Sequence, residues 1–288
     1  MPSEEDEYAD EIFEHQRQVE VTLAPDLEDA DLQIELRGNR EALISWLLEV
    51  HDQYFRRYGS PMIFLTNNIV DRFLSHRRVD TDKLQLVGIT ALHLAHKFEN
   101  GIEEKLSDLE YMCNEKYTTD QIARAERFML YTLDYRLAWP GPLPFLERIS
   151  KASQESSLTK KVAEYVLEAT AVNYACVTRL PSLIAATAFL LAQLLLGNRN
   201  WTPGQEESSG FQYSQLYPHM RKFLHWIQHS EHLYKIAYRK YSSSKRGRIA
   251  ILVTKKLKED LEMEIDFSKM RFPGSFPASD TGSDSEQN

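Results

Sequence analysis

The sequence predicts an all-α protein with two tandem five-helix units, preceded by an N-terminal helix. Nearly every apolar segment repeats every three or four residues, the spacing of an amphipathic helix, and no convincing hairpin signal is present. The proline-rich stretch WPGPLP, residues 139–144, separates two parts with similar helical patterns. The 288-residue length fits two domains of roughly 100–150 residues each.

Composition narrows the class of protein. The formal net charge is −9, whereas proteins that bind nucleic acid usually carry an excess of positive charge. We therefore predict no nucleic acid partner. The first residues are too acidic for a signal or transit peptide, and no apolar run is long enough for a membrane span. Cys113 and Cys176 are expected to be free thiols in a reducing compartment. We therefore expect a soluble protein of nucleus and cytoplasm, without a membrane partner.

The chain begins with a predicted amphipathic helix over about Glu4–Glu20 and a connector, together residues 1–35. The first helical unit covers residues 36–138. Its first helix is predicted over about Asn39–Tyr58, with apolar residues at helical spacing. The sequence Gly59-Ser60-Pro61 ends it and starts a second helix that reaches about His76.

The third helix of this unit is predicted from LQLVGITALHLAHKFEN, residues 84–100, with residues 80–82 as its N-cap cluster. Its first thirteen residues are apolar on almost every side, which is typical of a buried helix. It nevertheless ends in the polar and aromatic run Lys97-Phe98-Glu99. A fourth helix is predicted near residues 107–114 with Ser107 as its cap, and a fifth from Thr119 to about Asp134.

The second unit is predicted over residues 139–260. Residues 139–144 are expected to form a non-helical linker, and residues 197–210 a loop. Its predicted helices lie near residues 158–174, 182–196, 213–228, 231–241 and 245–259. The acidic tail, 261–288, is rich in Ser, Gly and Asp and is predicted to be disordered.

Enzyme motifs are missing from the sequence. It contains no GxxxxGK[ST] loop, no GxGxxG turn and no GxSxG elbow. His225 and His229 are four residues apart, but no HExxH motif or nearby cysteine supports a metal site. We therefore predict no catalytic residue, no cofactor and no metal. An enzymatic activity would have to be demonstrated by turnover of a substrate by the isolated chain.

Residues 39–152 resemble the cyclin box. NREALISWLLEVHDQY, FLTNNIVDRFLS, KLQLVGITALHLAHKFEN and IARAERFMLYTLDYRLAWPGPLPFLERISKA are similar to its first, second, third and fifth helices. EYADEIFEHQRQVEV resembles the N-terminal helix of A- and B-type cyclins, and YVLEATAVNYACVTRLPSLIAATAFLLAQLLLG resembles the second cyclin fold. The resemblance extends over about Tyr8–Val253 and is strongest to B-type mitotic cyclins, particularly fungal ones.

The resemblance implies a regulatory subunit that binds and activates a cyclin-dependent Ser/Thr protein kinase at G2/M. It also implies that Lys97 and Glu126 clamp the kinase αC helix, while Phe98, Tyr135 and Ile12 add apolar contacts. Alternative roles remain open for each residue. Lys97 could be a cation at a helix C-terminus, Glu126 a surface charge, and the other three internal packing residues.

The resemblance further implies a surface pocket for Arg-x-Leu peptides of substrates or inhibitors. The residues that fit this pattern are Leu43, Trp46, Glu49, Leu84 and Gln85. Asn39 and Ala42 depart from it, since cyclins usually have methionine and a larger aliphatic residue there. The lost apolar area, at about 25 cal/mol per Å², should weaken docking. Alternatively, Trp46 and Leu84 are simply part of the core.

Arg40 and Asp71 match a charged pair that ties the first helix of the box to the second. We interpret the pair as structural, because breaking one partner of a buried pair costs roughly 3–5 kcal/mol. In the N-terminal helix, His15 and Gln16 replace an expected tyrosine and leucine. This departure weakens the case that the helix contributes to kinase binding.

Two other functions compete with kinase activation. A divergent cyclin-fold scaffold or adaptor would bind a kinase or another partner without activating it, and the departures at Asn39, Ala42, His15 and Gln16 favour it. A tandem cyclin fold of the transcription-factor type would contact DNA. The acidic charge argues against that alternative, because phosphate binding needs a basic face.

Overall fold

The computed structural model describes residues 8–26, 30–153, 156–229 and 234–262. All regular secondary structure in these ranges is helical, which confirms the predicted all-α class. The predicted acidic tail from residue 263 onward lies outside the described residues, as do residues 1–7. No helix of the described part combines the length and apolar character needed to cross a membrane.

Within the described residues, the N-terminal helix and the first unit together contain six α-helices. They are Ala9–Thr22 (α1), Ala30–Val50 (α2), Pro61–His76 (α3), Leu84–Asn100 (α4), Leu106–Met112 (α5) and Thr119–Thr132 (α6). The first unit therefore has the five predicted helices, α2 to α6. Helix α4 packs against α3, α2 and α6, so it lies at the centre of this unit.

The second unit contains seven α-helices in the described residues. They are Leu143–Ala152 (α7), Ser157–Thr170 (α8), Pro181–Leu195 (α9), Pro203–Ser209 (α10), Tyr213–His229 (α11), Lys235–Tyr241 (α12) and Ile249–Glu262 (α13). Five of them match predicted helices in position, and α7 and α10 are additional. Helix α9 is the counterpart of α4, because it is mostly buried and packs against α7, α8 and α11.

Both additional helices correct the sequence predictions. Residues 139–144 were predicted to be non-helical, yet α7 begins at Leu143 because prolines are tolerated in a first helical turn. Residues 197–210 were predicted to be a loop, yet they contain α10. A capping box between Thr202 and Gln205 starts α10, and Trp201 is buried beside it with its indole N–H donating to Phe211 O at 3.0 Å.

Both caps predicted for the first unit, at residues 80–82 and at Ser107, were wrong, and α6 has a cap that was not predicted. Thr118 forms a full capping box with Gln121 at the start of α6. The residues before α4 instead form a 3₁₀ turn over Thr81–Lys83, and no side chain caps the helix. Helix α5 begins at Leu106, so Ser107 lies inside its first turn and is not the N-cap.

Helix α4 is buried almost throughout, as its apolar sequence predicts. Its side chains from Val87 to His96 are all classed as buried, and Ile89, Ala91 and Leu92 have no exposed surface. Gly88 allows α2 to approach closely, since a Cβ atom there would lie 2.8 Å from Leu43 Cδ1. The last turn leaves the core, so Lys97 and Phe98 reach the surface.

Helix α2 does not continue regularly to Tyr58 as predicted. It changes to a π-helical turn over His51–Phe55 and a 3₁₀ turn over Arg56–Tyr58. The irregular turn buries His51, whose Nε2 lies 2.8 Å from Gly59 O, and Asp52. Asp52 accepts hydrogen bonds from Arg56 at 2.9 Å and from Arg239 at 3.0 Å, so this turn also contacts the second unit.

Buried polar contacts hold the two units together. Glu168 on α8 accepts hydrogen bonds from Lys240 Nζ and Tyr241 OH, each at 2.8 Å, and from Ser60 Oγ of the first unit. Arg40 makes a bidentate pair with Asp71, at 2.6 and 2.9 Å. Its remaining nitrogen, Nη1, donates to Val172 O at 3.0 Å. The pair therefore joins α2 to α3 and also to the second unit.

Breaking the Arg40–Asp71 pair should destabilise the whole protein. Both side chains are buried, so Arg40→Ala would leave an uncompensated carboxylate and should cost about 3–5 kcal/mol. The measurement is the urea midpoint of unfolding. Asp80→Ala is the control, because Asp80 and Lys83 form an exposed pair expected to contribute less than about 1 kcal/mol. Equal losses in both variants would contradict the structural role of Arg40.

The buried imidazole of His51 should make stability depend on pH. Burial, and then the nearby Lys240 ammonium, lower the pKa of His51 from 6.5 to about 4. Between these values the unfolded chain binds the proton and the folded chain does not, so stability falls as pH falls. The expected contribution between about pH 7 and about pH 5 is on the order of 2 kcal/mol.

Urea unfolding at both pH values measures this effect. His51→Gln keeps a side-chain N–H for Gly59 O but does not titrate, so its stability should decrease less on acidification. The same decrease in wild type and variant would show that His51 is not the group responsible.

Candidate functional site

The site predicted around Lys97 lies where α4 leaves the core. Gly101, in the left-handed conformation, ends the helix and donates its N–H to Lys97 O. Lys97 Nζ donates to Glu126 Oε1 at 2.8 Å and to Glu103 Oε1 at 3.1 Å. Its hydrogen bond to Glu126 is the main reason that the pKa of Lys97 is raised. The residue is thus an ion-pairing cation at the helix end.

Glu126 is positioned by the packing of α6. The capping box fixes where the helix begins, and Ile122 and Met129 are buried on its inner face. Glu126 lies four residues after Ile122 and three before Met129, on the same side of the helix, and its side chain is 15% exposed. Arg124 pairs with Asp120 at 2.6 Å, so Glu126 has Lys97 as its ionic partner in the described structure.

Two buried histidines lie beneath this ion pair. His93 has no exposed surface, neither of its ring nitrogens has a hydrogen-bond partner among the described residues, and its Nε2 lies 3.9 Å from Glu126 Oε2. His96 packs against the rings of Phe55 and Tyr58, at centroid distances of 5.1 and 4.4 Å. Burial is the first cause of the lowered pKa of both imidazoles. The layer below the ion pair is therefore neutral and rigidly packed near pH 7.

Exposed aromatic residues lie at the C-terminal ends of α4 and α6. Phe98 is 49% exposed and Tyr135 67% exposed. Tyr135 has a positive φ of 56°, which is costly for a bulky residue, and its N–H donates to Leu130 O at 2.9 Å. This backbone bond holds Tyr135 at the end of α6 with its side chain outside the core.

The sequence reasoning did not identify two further aromatic residues of α6. Phe128 and Tyr131 are exposed and three residues apart on α6, and the exposed Tyr135 follows the helix in a left-handed turn. Phe128 is held against Phe73 at a centroid distance of 5.9 Å. A helical projection of α6 would have shown that Phe128 and Tyr131 are neighbours, and we call these two residues and Tyr135 the aromatic stripe. Exposed apolar groups of this kind mark interaction surfaces.

Helix α1 is fixed to the second unit and presents Ile12 outward. Glu20 is buried and accepts hydrogen bonds from Ser182 N at 2.8 Å and Ser182 Oγ at 2.7 Å, at the N-terminus of α9. Phe13 packs edge-on against Phe145, with centroids 5.8 Å apart, and the guanidinium of Arg148 lies 4.1 Å from the Phe13 ring centroid. With Phe13 held inside, Ile12 remains 49% exposed.

The residues predicted for peptide docking divide into two groups. Leu43 and Leu84 are buried in the core, which is the alternative that the sequence left open for Leu84. Trp46 and Gln85 are half-buried and Glu49 is exposed. The surface available to a peptide therefore consists of an indole, an amide and a carboxylate, with little aliphatic area.

The described residues contain no cluster of three or more His, Cys, Asp or Glu side chains that could hold a metal ion. His225 and His229 stack with ring centroids 4.3 Å apart, and His229 Nδ1 lies 2.8 Å from His225 O. The chemistry available near Lys97 is consequently recognition by charge and apolar contact, with no nucleophile next to a base among the site residues named above.

Comparison with known proteins identifies both units. The family model for "Cyclin, N-terminal domain" matches residues 11–138, and that for "Cyclin, C-terminal domain" matches residues 140–255. The G2/mitotic-specific cyclin-4 of Saccharomyces cerevisiae is 38% identical over 249 residues, which cover 86% of this chain and 54% of that protein. The G2/mitotic-specific cyclin-4 of Candida albicans is 36% identical, covering 86% of this chain and 51% of that protein.

The chain spans about half the length of these curated relatives. Among solved structures, a viral cyclin from herpesvirus saimiri matches with a TM-score of 0.64 at 17% identity, over 80% of this chain and 99% of that one. At this identity the likeness concerns the fold, and it agrees with the two helical units described above.

The anchoring of α1 through Glu20 can be tested directly. Glu20→Ala removes both acceptors of Ser182 and leaves its buried N–H without a partner, which should cost about 1–3 kcal/mol locally. Amide hydrogen exchange across residues 9–22 should rise strongly while exchange in α4 is unchanged. Glu14→Ala is the control, because Glu14 lies on the same helix but is exposed. Unchanged exchange in the Glu20 variant would show that other contacts hold α1.

Proposed function

This chain belongs to the cyclin family, and we propose that it binds and activates a cyclin-dependent Ser/Thr protein kinase of the mitotic, G2/M type. The observation that carries the proposal is the ion pair of Lys97 and Glu126, 2.8 Å apart and contributed by two different helices. Lys97 is partly exposed, and the exposed Phe98 follows it directly in the chain. The mitotic cyclins among its relatives support the cell-cycle stage.

We assign a regulatory role to the chain and catalysis to its partner. A protein kinase is active when an ion pair between its β3 lysine and the glutamate of its αC helix is formed. A surface that fits only the inward position of αC would lower the free energy of that state and shift the population toward it. A shift from mostly inactive to mostly active needs on the order of 5 kcal/mol of differential binding. An interface of roughly 1,600 Å² can supply this difference.

Lys97 and Glu126 would act as a prepared donor and acceptor for the kinase helix. In the free protein Lys97 and Glu126 bind each other, so both side chains are already ordered and lose little conformational entropy when the kinase binds. Lys97 is 34% exposed and can therefore exchange its carboxylate partners for groups of the kinase. Phe98, Tyr135 and Ile12 would supply the apolar anchors that usually carry most of the binding energy.

We further propose that docking of Arg-x-Leu peptides is weakened or altered. Glu49 is exposed and can pair with a peptide arginine, while Trp46 and Gln85 offer only a half-buried surface. Leu43 and Leu84 are already used by the core, so they add little area for a peptide leucine. We place the protein in the nucleus and cytoplasm, where such a kinase would act, with no cofactor of its own.

A scaffold or adaptor that binds the kinase without activating it is the second candidate. The exposed Ala42 and His15 favour it, because both are places where the chain departs from the cyclin pattern. Measuring binding and phosphorylation in the same preparation separates the two candidates.

The test mixes the purified chain with a mitotic-type cyclin-dependent kinase and measures co-elution and phosphorylation of histone. Lys97→Ala/Glu126→Ala should weaken binding by at least about tenfold and remove activation, because the variant loses both the donor and the acceptor of the clamp. Asp120→Ala/Arg124→Ala is the matched control, since this pair lies on the same helix α6 and is exposed.

Three outcomes are distinct. Loss of binding and of activity in the clamp variant alone supports the proposed function. Wild-type binding without phosphorylation supports the scaffold. No binding by wild type would contradict both candidates.

A further inference from the structure

Helix α11 has a polar face that is exposed in the part of the chain that the structure describes. Its buried residues pack toward the second unit: Leu216, Met220, Phe223, Leu224 and Ile227. The opposite face carries Pro218, Arg221, Lys222 and His225, spaced by three and four residues, and all four are exposed. The outward stripe of α11 is therefore mainly cationic.

This stripe forms one wall of an open groove with a volume of about 740 Å³. The other wall is the turn at Asn173, which follows α8. We call it the basic groove, and its lining residues are Asn173, Tyr217, Pro218, Arg221, Lys222, His225 and Trp226. None of these residues is a carboxylate, although the chain as a whole has a formal charge of −9.

The cations of the groove are not neutralised within the described structure. Neither Arg221 nor Lys222 makes an ion pair with another described residue. Burial, Arg179 and Lys222 together lower the pKa of His219, which shows that further positive charge lies close by. Cations gathered in this way repel one another, and an anion bound between them would relieve the repulsion.

The aromatic part of the groove is held rigidly. Trp226 Nε1 donates to Ala169 O at 3.0 Å, which fixes the indole against α8. The ring of Tyr217 stacks on that of Tyr213, with centroids 5.8 Å apart. Rigid aromatic rings bind extended chain segments with little loss of side-chain entropy, and proline fits them particularly well. The groove thus combines cations that can bind an anion with aromatic rings that can bind an apolar residue.

We propose that the basic groove docks an extended, phosphorylated segment of a partner protein. Arg221 and Lys222 hold the phosphate, and Tyr217 and Trp226 hold the apolar residue beside it. A phosphate dianion matches an arginine fork better than a single carboxylate does. Single-stranded nucleic acid is the less favourable occupant, because it needs a basic track longer than one helix face in a chain that is otherwise acidic.

This inference does not depend on kinase binding. All groove residues belong to the second unit, whereas Lys97, Glu126 and the aromatic stripe belong to the first. The groove can therefore be tested with the chain alone, and its failure would leave the proposed function untouched.

The experiment measures retention of the purified protein on two immobilised pools of degenerate short peptides. One pool has a fixed central phosphothreonine and the other a threonine at that position. The groove variant is Arg221→Glu/Lys222→Glu. The control is Lys161→Glu/Arg199→Glu, which makes the same charge change at two exposed cations of the second unit outside the groove. Circular dichroism establishes that all three proteins are equally helical.

Wild type and control should be retained on the phosphothreonine pool at least about tenfold more strongly than the groove variant, the effect of one or two charge-assisted hydrogen bonds. Retention on the threonine pool should be weak for all three. Equal retention of the two variants, or no preference for phosphothreonine, overturns the proposal. Tighter retention on an immobilised oligothymidine strand that the groove mutations abolish would also overturn it and identify nucleic acid as the occupant.

Discussion

The burial of α4 is the constraint on which the rest of the first unit depends. A helix that is apolar on nearly every side is unstable in water, so other helices must surround it, and α2, α3 and α6 do so. The same packing determines what happens at its end. The last turn of α4 leaves the core, and there Lys97 pairs with Glu126 in the middle of α6. The core and the recognition surface are thus two parts of one helix.

The second unit repeats this plan, with α9 in the central place, but the two units differ in what they offer a partner. The first presents a mixed surface of an ion pair and exposed aromatic rings. The second presents cations along α11 and receives α1 through the carboxylate of Glu20. Helix α1 is anchored on the second unit, while the Lys97 surface belongs to the first. The binding of a partner that contacts both Ile12 and Lys97 therefore depends on how the two units are arranged.

The sequence predicted those features that depend on local pattern. The all-round apolar run of α4 was recognised from consecutive residues. Helix α10 was missed although its Thr202–Gln205 capping box is a local signal, because the helix is short and polar and packs beside the buried Trp201, which is a tertiary contact. The caps at residues 80–82 and at Ser107 failed because a cap requires a particular entry of the backbone as well as a suitable residue. Roles for Lys97 and Glu126 came from the resemblance, since their contact depends on how α4 packs against α6.

The polar contacts around Glu168 have a consequence for how the chain can be divided. Ser60, Lys240 and Tyr241 meet at this one carboxylate, although they are far apart in sequence, and Arg40 adds a second bridge through Val172 O. The covalent connector around Gly141 is itself buried. Two fragments cut at that connector would keep the Arg40–Asp71 pair in one and the Glu168–Lys240 pair in the other. The bonds that depend on both fragments are those of Ser60 with Glu168, of Arg40 with Val172 O and of Arg239 with Asp52.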